Sequence, residues 1–275
     1  MGIDPHPGLL QQWGLPTEVT GLREFSLRAL EAIAPHVAAV KPQSACYERF
    51  GSAGVSVLAE VIGAARQAGV LCVIDAKRGD IGSTMDAYAD AYLSEASDLA
   101  GDAVTLAPYL GYESLRPALD QAAASGRGVF VLALTSNPEG RHIQHARTRR
   151  PDPEEGSDDP SVAATITRCA AADNAAHLTA GESLGPVGLV VGATVDRPPD
   201  LTVAHLAAAG GPILAPGLGA QGAEPQDLAD RFGQAAPLVL ASASRSVLDA
   251  GPSADALGAT ARNLAARVSR ATGRT

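Results

Sequence analysis

The chain has 275 residues, of which 46% are hydrophobic and 19% are charged, and its formal net charge is −9. This composition can bury a large core, which excludes general disorder, and the acidic balance argues against a protein that mainly coats nucleic acid or an anionic membrane. No apolar stretch approaches the roughly 18 residues of a membrane span, so we expect a globular protein without a membrane partner.

The cysteines and the first residues both predict a cytoplasmic protein. Cys46, Cys72 and Cys169 are an odd and widely spaced set, which matches neither a disulfide framework nor a metal site. The start, MGIDPHPG, has neither the basic nor the apolar segment of a signal peptide. We therefore expect a reducing compartment and no bound metal.

Short apolar runs alternate with longer helix-like stretches along the chain. Seven runs are continuous, as strands buried on both faces are, at residues 37–40, 70–74, 103–107, 128–134, 187–191, 212–215 and 237–241. Between them, apolar residues recur with helical spacing in segments such as 54–68, 85–100, 114–125 and 161–180. This order predicts βαβ units and a parallel sheet.

An eighth strand at the start would complete a barrel. Met1, Gly2 and Ile3 are apolar and lead into a turn. With them the count reaches that of a parallel, eight-stranded (β/α)8 barrel, or TIM barrel, whose first strand is short. Residues 1–275 would then form a single domain. The alternative is an open, doubly wound sheet of seven strands.

One segment departs from this rhythm. Residues 137–160, after the fifth strand, are polar and rich in proline, and a basic half precedes an acidic half. A long connection of this kind is either functional or a mobile surface insertion. We expect a charged loop inserted into the barrel, for which a solvated surface loop is the simpler interpretation.

The strongest local signal is the run DAKRGDIGST at 75–84. Asp75 and Lys77 are two residues apart at the end of an apolar strand, so a regular strand would project both from one face, into the site of a barrel. Lys41 ends the preceding strand, and Asp80 follows five residues after Asp75. The four charges predict an alternating Lys–Asp–Lys–Asp array, in which each charge has an opposite neighbour.

Each of these residues also has a simpler structural interpretation. An isolated Asp-x-Lys pair is more often a structural ion pair than a catalytic one. Lys41 fits a lysine that reaches to solvent from the barrel rim, and Asp80 fits the cap of the helix that follows it. The combination of all four charges is what favours catalysis.

A second signal is the run PILAPGLGAQG at 212–222. Gly217, Gly219 and Gly222 match the G-x-G-x-x-G dinucleotide pattern, but that fingerprint normally lies in the first βα turn, and here only one strand run follows. After the seventh strand of a barrel, such glycines form a phosphate loop. Arg245, at the end of the eighth strand, suits a phosphate as well, although a surface arginine is the simpler interpretation.

Taken in order, these motifs resemble the orotidine 5′-phosphate decarboxylase family, in the branch found in actinobacteria and relatives. The runs KPQSACYERFG, DAKRGDIGST, APYLGYESL, LTSNPEG and VVGAT carry the resemblance over nearly the whole chain. It implies a (β/α)8 barrel that converts orotidine 5′-monophosphate to uridine 5′-monophosphate, the last step of de novo pyrimidine nucleotide synthesis. It also implies a homodimer that uses no metal and no organic cofactor.

The resemblance gives each matched residue a role. Lys77 resembles the proton donor to C6 of the pyrimidine, Asp75 the carboxylate against the departing carboxyl group, and Lys41 the lysine that orients Asp75. Asp80 and Thr84 resemble residues supplied across the dimer interface to the neighbouring ribose. The remaining matches bind substrate: Asp4 the ribose, Ser136 the pyrimidine, and Gln221 and Arg245 the phosphate.

Two other functions fit the same fold. A Mg²⁺-dependent sugar-phosphate decarboxylase or aldolase of the same superfamily shares the Asp-x-Lys-x-x-Asp strand. It needs an extra acidic ligand at a neighbouring strand end, where this chain has Lys41. A non-catalytic phosphosugar-binding barrel would use the charges only structurally. The complete set of charges favours the decarboxylase.

Overall fold

Eight parallel strands form one sheet in the computed structural model, which describes residues 1–149, 159–219 and 222–273. The strands are β1 (Gly2–Ile3), β2 (Ala39–Pro42), β3 (Leu71–Arg78), β4 (Ala103–Leu106), β5 (Gly128–Leu134), β6 (Val187–Val191), β7 (Ile213–Pro216) and β8 (Val239–Ser242). Each strand pairs with the next one along the chain. The Gly2 amide donates to the Ala243 carbonyl at 2.7 Å, just beyond β8, so the sheet curves round to its first strand.

This architecture confirms the predicted (β/α)8 barrel. All seven continuous apolar runs are strands, and the short first strand is present, with Gly2 opposite Lys41 and Ile3 opposite Pro42. The open sheet of seven strands is therefore wrong.

Helices follow the strands and pack on the outside of the barrel. They are α1 (Pro7–Gln12), α2 (Val19–Ile33), α3 (Ser44–Glu48), α4 (Gly51–Gln67), α5 (Gly82–Leu93), α6 (Arg116–Ser125), α7 (Arg141–Gln144), α8 (Val162–Thr179), α9 (Val203–Ala208), α10 (Asp227–Phe232), α11 (Arg245–Leu248) and α12 (Ala254–Ala271). In the part of the chain that the structure describes, none of the helices has the length and apolar character to cross a membrane.

One helix is shorter than the apolar spacing predicts. The predicted segment was 85–100, but α5 ends at Leu93, and Ser94 has an extended backbone. The Ser97 hydroxyl donates to the Ala91 carbonyl at 2.6 Å, and the Ser97 amide donates to the Ser94 carbonyl at 3.1 Å. Serine thus competes for backbone groups here and ends the helix.

The long connection after β5 is ordered at both of its described ends. It continues from a short 3-10 turn at Pro138–Gly140 into α7. Arg147 then pairs with Asp200 at 3.3 Å and donates to the Asp159 carbonyl at 2.9 Å. Residues 150–158, with Arg150 and most of the acidic half, lie outside the described residues.

A second cluster of buried apolar side chains, separate from the larger core, lies within the barrel. They come from successive strands: Ala39, Val73, Ala103, Phe130, Val190 and Leu214. Phe130 is the largest, and it lies opposite Gly188 of β6. A Cβ at Gly188 would lie 2.7 Å from the Phe130 ring and 2.6 Å from the Pro212 carbonyl oxygen. The glycine therefore makes the room that the phenylalanine fills.

We expect Gly188→Ala to lower the free energy of unfolding by about 1–3 kcal/mol, because the added methyl group overpacks the barrel. Urea denaturation measures the change. The matched control is Gly63→Ala in α4, where a Cβ meets nothing within 4 Å. It should raise stability by about 1 kcal/mol through helix propensity. Equal effects of the two variants would contradict the packing argument.

Candidate active site

A cavity of about 1140 Å³ opens at the carboxyl ends of the strands, where sites of (β/α)8 barrels lie. Residues from most strand ends line it, including Asp4, Lys41, Asp75, Lys77, Thr105, Ser136, Gly217 and Arg245. Seven of the residues predicted to form the site therefore share one cavity.

Asp75 lies between two lysines. The Lys41 Nζ donates to Asp75 Oδ2 at 2.8 Å, and the Lys77 Nζ donates to Oδ1 at 2.5 Å. Lys41 and Asp75 are buried, whereas 45% of the Lys77 side chain is exposed. Lys77 is therefore the ammonium group of this centre that remains open to the cavity.

Two uncharged side chains complete the shell of Asp75. Gln43 Nε2 donates to Oδ2 at 3.1 Å, and the Thr105 hydroxyl donates to Oδ1 at 3.0 Å. Each carboxylate oxygen thus receives two hydrogen bonds, as a buried charge requires. The sequence predictions omit both residues. Two features of the sequence could have indicated them: Gln43 lies two residues beyond Lys41, and Thr105 is a polar residue within an apolar run.

The two lysines keep Asp75 ionised. Burial alone would raise the pKa of Asp75, but the charges of Lys41 and Lys77 and their hydrogen bonds hold it well below its usual range. Burial likewise works to lower the pKa of Lys41, and attraction by Asp75 and Asp4 outweighs it, so that this pKa is raised. Both groups are charged at neutral pH.

Asp75 and Lys77 project side by side, as the spacing predicts, but through a bulge in β3 instead of a regular strand. The pairing of β3 with β4 shifts register between Ile74 and Arg78. Lys77 has a φ of 47°, a left-handed conformation that costs a non-glycine residue about 1–3 kcal/mol. Its amide donates to the Thr105 hydroxyl at 2.9 Å.

Asp80 and Thr84 are outside this cavity: neither is among the described residues that line it. The Asp80 carboxylate accepts the amide of Ile81 at 2.9 Å. The following helix, α5, begins at Gly82 without a side-chain cap, so the interpretation of Asp80 as its cap is wrong. Of the predicted four-charge array, the described contacts join Lys41, Asp75 and Lys77, and they do not include Asp80.

The glycine loop after β7 meets the end of β8. Pro216 pairs with Ser242, so the two following connections are neighbours. Gly217, Gly219 and Gly222 have φ values of 110°, 76° and 91°, which glycine adopts readily.

Close packing brings this loop to the start of α11. A Cβ at Gly219 would lie 2.8 Å from the Ser246 side chain. Next to Ser246, the exposed Arg245 has no ion-pair partner among the described residues. Gln221, the other predicted phosphate ligand, lies outside the described residues. A glycine loop and an arginine thus converge on one side of the cavity.

Two buried polar atoms near this cavity have no hydrogen-bond partner in the described structure. They are Asp4 Oδ1 and Ser244 Oγ, and both residues line the cavity. Unsatisfied buried oxygens are rare in proteins, and a polar ligand can satisfy them. By contrast, no three His, Cys, Asp or Glu side chains within the described ranges lie close enough together to hold a metal ion.

The barrel and its charged strand ends define the chain as a (β/α)8-barrel protein with an ionic site at the carboxyl ends of its strands. The profile of the orotidine 5′-phosphate decarboxylase / HUMPS family matches residues 22–259. The chain belongs to this family.

Curated relatives named orotidine 5′-phosphate decarboxylase share about half of their residues with this chain. The Salinispora tropica protein is 53% identical over 267 residues, or 96% of this chain and 90% of the relative. The Streptomyces coelicolor protein is 51% identical over 268 residues, or 98% and 91%. The family description alone includes HUMPS proteins, whereas these names favour the decarboxylase over the Mg²⁺-dependent alternative.

Solved structures agree with this assignment. A Streptomyces avermitilis protein provisionally described as orotidine 5′-phosphate decarboxylase superposes with a TM-score of 0.90 at 51% identity, covering 99% of this chain and 90% of that one. The orotidine monophosphate decarboxylase of Leishmania donovani has a TM-score of 0.72 at 29% identity, covering 99% and 92%.

We expect Asp75→Asn to lower the free energy of unfolding by about 3–5 kcal/mol at neutral pH, because Lys41 stays buried without its counter-charge. Folding lowers the pKa of Asp75. The ionised carboxylate therefore contributes its full stability above the ordinary pKa of Asp, near 4, and this stability is lost as the pH falls below that value. The difference in the free energy of unfolding between wild type and Asp75→Asn should be the same at about pH 7 and about pH 5. It should be smaller at about pH 3.

Urea denaturation at these three pH values measures the difference. The control is Glu60→Gln, which removes the exposed partner of Arg23 on the outer helices and should change stability little. A difference between wild type and Asp75→Asn that does not shrink in acid would contradict the ionised state of Asp75.

Proposed function

We propose that this enzyme removes CO₂ from orotidine 5′-monophosphate and yields uridine 5′-monophosphate, the last step of de novo pyrimidine nucleotide synthesis. The observation that carries the proposal is the buried Asp75 carboxylate held between the ammonium groups of Lys41 and Lys77. The cavity that contains this centre is also lined by the start of the glycine loop and by Arg245, which has no ion-pair partner among the described residues.

The reaction needs a cation beside the reacting carbon. When the bond between C6 and the carboxyl group breaks, CO₂ leaves and the electron pair stays on C6, with no adjacent carbonyl to delocalise it. The Lys77 ammonium, open to the cavity, stabilises this charge and then gives its proton to C6. The proton replaces CO₂ on the product, and a proton from solvent restores Lys77.

Asp75 acts on the carboxyl group that leaves. A fixed carboxylate repels the substrate carboxylate more than it repels the transition state, in which that charge has moved toward C6. Lys41, Gln43 and Thr105 hold Asp75 in place, so it cannot turn away when the substrate binds.

Binding energy from the rest of the nucleotide offsets this repulsion. Arg245, Gln221 and the amides of the glycine loop bind the phosphate, far from the reacting carbon. Asp4 Oδ1, which has no hydrogen-bond partner among the described residues, accepts a ribose hydroxyl, and Ser136 binds the pyrimidine.

The enzyme works without a metal or an organic cofactor. The strand end beside Asp75 carries Lys41, whose positive charge repels a divalent cation at the place where a Mg²⁺-dependent relative needs an acidic ligand.

The decisive measurement is the loss of orotidine monophosphate absorbance with purified protein in excess EDTA. Turnover supports this proposal. Turnover only after Mg²⁺ is added would overturn the metal-independent reaction, and no turnover in either condition would overturn the proposed function.

Lys77→Ala should lower turnover by about 10²-fold or more, because proton donor and charge stabilisation are lost together. Its affinity for uridine 5′-monophosphate should stay near that of wild type, since the phosphate ligands are intact. Steady-state kinetics and product titration measure the two effects. Retention of about a tenth of the wild-type rate would exclude Lys77 as the proton donor.

We also propose a homodimer in which Asp80 and Thr84 serve the partner's site. Asp80 and Thr84 do not line the cavity of their own chain among its described residues. Ile81, beside Asp80, is 61% exposed, and Tyr109 and Leu110 after the neighbouring strand β4 are 79% and 54% exposed. Apolar side chains exposed together favour burial against another chain.

Subunit mixing tests the shared site. Lys77→Ala and Asp80→Ala chains, each inactive alone, should recover about a quarter of wild-type activity after joint unfolding and refolding. Half of the randomly paired dimers are mixed, and one of their two sites combines intact Lys77 with intact Asp80. Native mass spectrometry verifies that mixed dimers form.

The matched control mixes Lys77→Ala with Lys41→Ala. These two lysines contact the same Asp75 within one chain, so every site of the mixed dimer lacks one of them and no activity should return. A mixed Lys77→Ala and Asp80→Ala dimer without activity would place Asp80 in its own chain's site.

We further propose a single catalytic domain located in the cytoplasm, with 137–160 as a charged insertion. Cys46, Cys72 and Cys169 are free thiols, which fits a reducing compartment. Asn137 and Ile143 of the insertion line the cavity, so its first part contributes to the site.

A further inference from the structure

Arg78 follows Lys77 directly, and its guanidinium is enclosed by α3 and α5. Nη2 donates to Glu48 and to the Tyr92 hydroxyl, the latter at 3.1 Å. The guanidinium carbon lies 5.6 Å from the centre of the Tyr88 ring and 5.7 Å from that of Tyr92. A charge-assisted hydrogen bond and two cation–π contacts hold this side chain in one position.

The same residue ends the bulge that contains Lys77. Regular pairing with β4 resumes at Arg78, and the Arg78 carbonyl accepts the Ala107 amide at 2.7 Å. On the other side of the bulge, the Lys77 amide donates to Thr105. The left-handed backbone of Lys77 is therefore fixed from both sides.

Glu48 connects the Arg78 side chain to the strand that carries Lys41. The Ser44 hydroxyl donates to Glu48 Oε1 at 2.5 Å, within α3. This helix starts two residues after β2, which contains Lys41. The Arg78–Glu48 ion pair thus joins, from outside the barrel, the two strand ends whose lysines flank Asp75.

We propose that Arg78 is a positioning residue that acts through Lys77. Its pair with Glu48 holds the left-handed backbone at Lys77 and so fixes the ammonium group relative to Asp75 and the reacting carbon. The inference rests on the proposed decarboxylation. Arg78 is absent from the described lining of the cavity, so it reaches the reaction only through its neighbour.

The test compares catalysis with binding in folded variants. Arg78→Met should lower kcat by about 10–100-fold, because a small displacement of a catalytic group has an effect of this size. The KM for orotidine monophosphate and the affinity for uridine monophosphate should change by less than about threefold, since the phosphate contacts are distant. Arg78→Lys keeps a charge opposite Glu48 and should recover part of kcat.

Arg23→Met is the matched control. It removes another Arg–Glu pair between helices, with Glu60, away from β3, and it should leave kcat unchanged. All rates are measured well below each variant's unfolding midpoint. If Arg78→Met does not fold, Glu48→Gln, which removes the charge and keeps the shape, should show the same selective loss of kcat.

A normal kcat in folded Arg78→Met or Glu48→Gln, with only a lower Tm, would overturn the proposal, as would equal losses in kcat and product affinity. Wild-type turnover is measured first. Its absence would refute the proposed function itself, whereas its presence beside an unaffected Arg78→Met refutes only the positioning role.

Discussion

The architecture of the site depends on one buried carboxylate. Asp75 is 7% exposed and could not stay ionised there alone, because removing a charge from water is costly unless partners replace the water. Three adjacent strands provide those partners: β2 with Lys41, β3 with Lys77, and β4 with Thr105. The parallel order of the strands places these residues side by side, so the ion cluster depends on the barrel.

The same constraint explains the irregular end of β3. The bulge brings the Lys77 ammonium to within 2.5 Å of Asp75 Oδ1, while the Thr105 hydroxyl both donates to that carboxylate and accepts the Lys77 amide. The strain at Lys77 is therefore held by hydrogen bonds that the carboxylate itself organises. Fixed before the substrate arrives, these charges need no reorganisation during the reaction, which is the condition under which electrostatic catalysis is strongest.

Local sequence was enough to predict much of this structure. Continuous apolar runs predicted seven of the eight strands, and the count of a barrel suggested the short first one. Charges placed directly after such runs, as with Lys41 and Asp75, predicted which side chains meet. The register of β3 against β4 depends on contacts far apart in the chain, so neither the φ of Lys77 nor the role of Thr105 could be predicted from spacing. The role of Asp80 in the proposed dimer is a harder problem still, because a single sequence does not show what a second chain would place beside it.

The barrel divides the site into two halves with different demands. Asp4, Lys41, Asp75, Lys77 and Thr105 come from the ends of β1 to β4, and Ser136, Gly217 and Arg245 follow β5 to β8. The first half contains buried charges, and interstrand hydrogen bonds hold them in place. The second half includes the glycine loop after β7, a backbone that can approach a ligand closely. Under the proposed function, binding energy gained in the second half offsets repulsion generated in the first. A rigid barrel makes this compensation effective, because a flexible barrel would relax and let the charges separate.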